Sequence, residues 1–279
     1  MTEEKKKQEG SAPENDAAFE AAERLKEEIL NDYPRLGPQE KIKFRCHRDL
    51  SCFNKCCRDV NIFLTPYDVL RMKNHLGLKA DEFLEKYTMM PVQKDMKTPV
   101  VMLRMNDDEQ KECPFLTKEG CGIYDNRPWP CRMFPVGEAS PKDVATQGQP
   151  FYFLLQDEMC KGLDEERELT ILEWLDEQGI AEYNEMGELF KEVTLHDRLL
   201  QGKALEPKQI EMYYMALYDQ DKFKRFLFDS TVLRRFELED GLVEKLQESE
   251  IERLKFAHRW LRFCLFNEPT MTMKEGETK

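Results

Sequence analysis

The sequence predicts an α+β protein: a small, loop-rich, cysteine-rich module of short strands and helices, followed by a helical C-terminal part. Three observations predict it. Eight of the nine cysteines fall between Cys46 and Cys160. The second half of that stretch is broken by Pro114, Pro128, Pro130, Pro135, Pro141 and Pro150, which leaves room only for short elements. Beyond Lys161, apolar residues recur at helical spacing. The expected organisation is a disordered tail over 1–16, an N-terminal helix and linker over 17–45, the cysteine module over 46–165, a helical region over 166–267 and a second disordered tail over 268–279.

The elements follow in order. Ala18, Ala22, Leu25 and Ile29 mark a helix that ends before Pro34, and "PRLGPQEK" is a linker. "VNIFLT" (60–65) reads as a strand. Thr65 as N-cap, Pro66 in the first turn and Asp68 behind it predict a helix that stops at Gly77. Asp81 is expected to cap a short helix over "EFLEKY". Strands are expected over 99–105 and 151–156, with 106–150 mostly loop. Thr170 with Glu173 is a capping box, and Gly179 closes that helix. Met186, Leu189, Phe190, Val193 and Leu200 mark the next helix face, and Ile210, Tyr213, Tyr214, Leu217 and Tyr218 a third. Val243, Leu246, Ile251, Leu254, Ala257, Leu261 and Leu265 predict one long final helix.

A hydrophobic fraction of 41% can fill a core, while a net charge of -13 argues against wrapping nucleic acid. No apolar run approaches the ~18 residues of a membrane span, and the start has no apolar signal segment. The expectation is a cytoplasmic protein, and there a cysteine pattern points to metal or catalysis before disulfides. The pattern reads Cys46, Cys52, Cys56-Cys57, then Cys113, Cys121 and Cys131, then Cys160. Eight thiols suffice for two four-cysteine sites, and adjacent Cys56 and Cys57 can face different ones. Arg45, Lys55, Arg58, Arg132 and Lys161 each adjoin a cysteine, which suits thiolates that need compensating charge. Arg127 is read as neutralising the site or capping carbonyls, and His47 as a substitute ligand for Cys46. The spacings are looser than the paired ligands of structural zinc and suit an iron–sulfur cluster, with zinc as the alternative and metal-free redox thiols as a third reading. Cys264, between apolar neighbours, is expected to pack in a core.

The segments "CFNKCC", "LTPYDVLRM" and "CPFLTKEGCGIYDNRPWPCRMFPVG", with a later cysteine, resemble the YkgJ-type cysteine-cluster family over roughly residues 46–160. The resemblance implies a zinc- or iron-chelating domain with ligands at Cys52, Cys56, Cys57, Cys113, Cys121 and Cys131, extended to Cys46 and Cys160. The five-residue gap between Cys46 and Cys52 is longer than the family's usual first gap. One branch of the family resembles flagellin lysine N-methylases. The expected function is therefore a metal-binding cysteine-cluster protein holding an iron–sulfur cluster for electron transfer or a redox reaction, served by an unidentified redox or protein partner. The alternatives are an S-adenosylmethionine-dependent lysine methylase-like enzyme and a zinc-stabilised binding module without chemistry.

Overall fold

Capping chemistry sets the first helices of this structure, a computed structural model that describes Arg24, Glu27 and residues 33–91, 97–139, 151–155 and 158–276. Helix α1, Pro66–Leu76, opens on a reciprocal box. The Asp68 N–H donates to the Thr65 hydroxyl, and the Asp68 carboxylate accepts from the Thr65 N–H at 2.8 Å. It ends at Gly77, whose φ of 65° lets its N–H turn back to the Lys73 and Asn74 carbonyls. Helix α2, Ala80–Tyr87, starts earlier than the sequence suggested. Lys79 is the cap because Glu82 accepts its N–H at 3.0 Å, and Asp81 sits in the first turn. The expected N-terminal helix falls almost wholly outside the described residues; Arg24 and Glu27 are helical.

The strands are short and paired in twos, all antiparallel: β1 (Lys41–Lys43) with β8 (Glu168–Thr170), β2 (Thr88–Met89) with β3 (Met102–Leu103), β4 (Leu116–Thr117) with β5 (Gly120–Cys121), β6 (Val136–Ala139) with β7 (Phe151–Leu154), and β9 (Phe236–Glu237) with β10 (Thr272–Met273). The expected strand 60–65 contracts to a bridge between Phe63 and Met102, and 99–105 to β3. Isolated runs this short find too little cross-strand partner to extend. In β6, Gly137 faces Phe153, whose ring would stand 2.2 Å from a Cβ there; only glycine admits it.

The helical part begins at the Thr170–Glu173 box with α4 (Ile171–Glu177), after a five-residue α3 (Trp129–Met133) in the cysteine module. It continues through α5 (Ala181–Thr194), α6 (Asp197–Leu200), α7 (Pro207–Leu217), α8 (Gln220–Asp229), α9 (Leu242–Glu248) and α10 (Glu250–Phe266). Two expected continuous helices are broken. Leu200 lies on α6, after a turn at Leu195–His196. The final helix is interrupted at Ser249, an extended residue whose hydroxyl accepts the Glu252 N–H at 3.2 Å and so starts α10 afresh. Ordered chain also runs past 267, where a tail was expected: β10 pairs with β9 and Met271 is buried.

Packing crosses residue 165. The larger apolar cluster joins Tyr67, Met72 and Phe83 of the cysteine half to Tyr213, Leu254 and Trp260 of the helical half. A smaller one unites Ile42 and Phe44 with Met133, Leu169, Ile171 and Trp174. Of the clustered cysteines, Cys113 and Cys121 pack against the larger cluster and Cys160 against the smaller.

Candidate metal centre

Four stretches carry the cysteines, and main-chain hydrogen bonds gather them. A 3-10 turn, Lys55–Cys57, follows Asn54, which adopts φ 68°. The Lys55 N–H donates to the Cys52 carbonyl at 2.9 Å, and the Asn54 amide donates to the Thr117 carbonyl at 3.2 Å. Cys57 is tied forward, since its carbonyl accepts the Cys113 N–H at 2.8 Å. The β4–β5 hairpin then carries Cys121, with the Leu116 N–H closing on the Cys113 carbonyl at 2.9 Å. Cys131 lies on α3, whose first amide, Trp129 N–H, donates to Asp68 at 2.7 Å. Cys160 precedes a 3-10 turn, Lys161–Asp164; there the Gly162 carbonyl accepts the Arg45 N–H at 3.0 Å, and the Lys161 N–H donates to the Cys52 sulfur at 3.2 Å.

The thiols are neighbours of one another, and six of them have raised pKa values. Burial, then the charges of Cys56, Cys52 and Cys160, push Cys46 up to about 11. Cys57 is raised by its hydrogen bond with Cys56, by burial, and by the charges of Cys56, Cys113 and Cys131. Cys131 reaches solvent on one side, yet the protein packed around it and the charges of Cys113 and Cys121 push it up to about 12. Burial also raises Cys113, Cys121 and Cys160. Against it work backbone amides: Phe115 and Leu116 on Cys113, Ile123 on Cys121, Gly162 and Leu163 on Cys160. Among the described residues no three His, Cys, Asp or Glu side chains already converge on one point. The donor set nonetheless fits a thiolate-bound metal: eight thiols, mutually repelling once ionised, with amide N–H groups aimed at four of them. A cation bound among them offsets the repulsion that otherwise holds the thiols neutral.

The basic residues beside the cysteines divide differently from expectation. Arg127 is the cation whose charge opposes the rise at Cys121 and Cys131. Its guanidinium sits 3.8 Å from the centre of the exposed Tyr124 ring and donates to the Tyr124 carbonyl and to Gln178. Arg132 was expected to compensate thiolate charge; it instead donates to the main-chain carbonyls of Arg127, Gln178 and Asp125, as a clamp between loops. Arg58 pairs with Glu112, and the Lys161 ammonium lies by Asp164 and the Glu158 carbonyl. His47 turns its ring nitrogens toward Glu165 and Asp49, at 3.5 and 3.6 Å, and so makes a poor substitute for Cys46. Cys264, on α10, lines a cavity of about 310 Å³ with Phe226, Trp260 and Met273, among apolar neighbours as expected. The sequence reading missed the amide donors, although Pro114, Gly122 and Gly162, each one or two places after a cysteine, mark the turns that supply them.

Residues 45–161 match the family model CxxCxxCC, described as "Putative zinc- or iron-chelating domain". Over this segment the chain is similar to that cysteine-cluster family. The match supports metal binding, and all eight clustered cysteines lie within the matched segment. Neither a curated protein nor a solved structure matches the chain. Among the described residues no helix is long and apolar enough to cross a membrane.

Proposed function

We propose that the cysteine-cluster domain holds iron–sulfur and serves electron transfer or a redox reaction with a protein partner in the cytoplasm. The observation that supports it best is the combination of surface and shielding in the donor set. Cys46, Cys56 and Cys131 are exposed, while Cys52, Cys113, Cys121 and Cys160 receive backbone N–H groups. A metal that only braces a fold gains nothing from exposed ligands, whereas a redox centre must lie near the surface its partner meets. An iron–sulfur cluster bound here supplies one-electron transfer, at a potential set by N–H···S bonds, local charge and exposure. The amides of Phe115, Leu116, Ile123 and Gly162 stabilise sulfur charge, and Arg127 adds a fixed cation beside Cys121 and Cys131. Net charge of -13 suits a protein partner better than nucleic acid.

The test is anaerobic purification of the full chain, followed by iron, zinc and acid-labile sulfide analysis and visible absorption before and after dithionite. Iron with matching sulfide and a bleachable visible band is the expected result. Zinc without sulfide would overturn the redox reading and leave a zinc-braced module.

A further inference from the structure

The hydrogen bonds that gather the cysteines do not gather them all together. One group is tied around the Cys160 turn: Lys161 N–H reaches the Cys52 sulfur, and the Gly162 carbonyl holds the Arg45 N–H just before Cys46. The other is tied around the β4–β5 hairpin: Cys113 N–H reaches the Cys57 carbonyl, and Leu116 pairs with Cys121 across the hairpin. The two groups also rest on different cores. Cys113 and Cys121 pack against the larger apolar cluster, and Cys160 against the smaller.

Cys56 and Cys57 stand at the seam. They are consecutive residues of a 3-10 turn, so their side chains leave the axis about 120° apart. The charge neighbours follow the same division. Cys46 feels Cys52, Cys56 and Cys160; Cys57 feels Cys113 and Cys131, and Cys131 in turn feels Cys113 and Cys121. Cys56 also neighbours Cys57 and Cys121, and the Asn54 amide in the same turn donates to the Thr117 carbonyl of the hairpin, so the two groups meet at this turn.

Resting on the reading of these thiols as ligands, we propose that they build two separate four-thiolate sites: Cys46, Cys52, Cys56 and Cys160 at the rim, and Cys57, Cys113, Cys121 and Cys131 against the helical core. The sites share the Cys56–Cys57 peptide, so two bound centres lie close enough to exchange electrons directly. The rim site, held by loops, gives up its metal first.

The experiment measures metal per chain on the anaerobically purified full-length protein, whichever metal it holds, and repeats the count after anaerobic Co(II) titration of the stripped chain. The wild type is expected to take two equivalents of Co(II). Cys160→Ser and Cys121→Ser should each keep about half of the wild-type metal, and Cys264→Ser all of it. Where Cys121→Ser does not fold, the wild-type count and Cys160→Ser decide. One Co(II) per chain in the wild type, or loss of all metal in a soluble Cys160→Ser, would overturn two sites. Zinc in place of iron would refute the redox reading and leave this inference standing, since the halving does not depend on the metal.

Discussion

Replacing Gly162 by alanine should strip metal from the rim cysteines without touching their sulfurs. A Cβ at Gly162 stands 2.8 Å from Phe44 Cε2 and 3.0 Å from the Arg45 carbonyl oxygen, where ordinary contact begins near 3.4 Å. Phe44 has nowhere to go: it is 2% exposed and meets Phe134 and Trp174 edge to face, with centroids 6.2 and 5.2 Å away. The Cys160 turn and the strand leading to Cys46 must therefore part by roughly half an ångström. Overpacking of this kind costs ~1–3 kcal/mol. The displacement also exceeds the ~0.2 Å within which metal–ligand distances are held. Metal analysis after anaerobic dialysis against a weak chelator should show a clear loss relative to wild type, and urea unfolding a lower midpoint. Full metal content with an unchanged midpoint would show that this contact does not position Cys46 and Cys160.

Three further outcomes are expected. If iron–sulfur is bound, Arg127→Gln should lower its reduction potential by on the order of 1 kcal/mol of electron affinity, because a cation stabilises the more negative reduced state; Arg127→Lys should recover most of it, and Arg132→Gln, removing a clamp rather than a facing charge, should cost stability instead. His258 is buried on α10 with Nε2 unpartnered, and burial lowers its pKa to about 4 against the opposing pull of its Nδ1–H bond to the Leu254 carbonyl. The neutral ring is the folded form, so its share of stability is whole above the unfolded value of 6.5 and is lost as pH falls toward 4, about 3 kcal/mol in all; His258→Phe should flatten the urea-stability profile across that window relative to wild type, and parallel profiles would refute it. Stripping metal should increase amide exchange at 45–57, 111–131 and 158–164 while far-ultraviolet circular dichroism keeps most of its helical signal, since α1 and α2 share a large apolar core with the later helices; a collapse of helicity would contradict that.

What the sequence disclosed was what neighbouring residues settle between themselves. The Thr65–Asp68 and Thr170–Glu173 boxes and the Gly77 stop are local geometries and appear where the residues place them. The break at Ser249 was also written locally, as Ser249 with Glu252, but the apolar spacing runs on across it and concealed it. Arg132 misled through adjacency. On α3 it is one residue from Cys131, which is about 100° around the helix, so its guanidinium faces other loops. Arg127, four residues back, faces the sulfurs instead. The shared core across 165 was not legible, because periodicity shows that a face is apolar and says nothing of which face it meets.

That shared core reaches the thiols through one carboxylate. Asp68 is fully buried and accepts from the Thr65 N–H, the Thr65 hydroxyl and the Trp129 N–H, at 2.8, 2.7 and 2.7 Å. It therefore closes the N-termini of two helices at once, α1 in the core and α3 in the cysteine module. The cap residue of α3 is Pro128, which offers no side-chain acceptor, so without Asp68 the Trp129 amide would lose its acceptor. Burial raises the Asp68 pKa to about 6, against the pull of those three donors and of Arg132. A carboxylate kept in so unfavourable a place is held by what it joins. Cys131 sits two residues past Trp129, so its position is set by the register of α1, and α1 is set by the large core. The inner thiols are thus placed by helical packing and the rim thiols by the β1–β8 strand pair and the Gly162 contact. Two scaffolds meet at Cys56–Cys57, each positioning part of the centre.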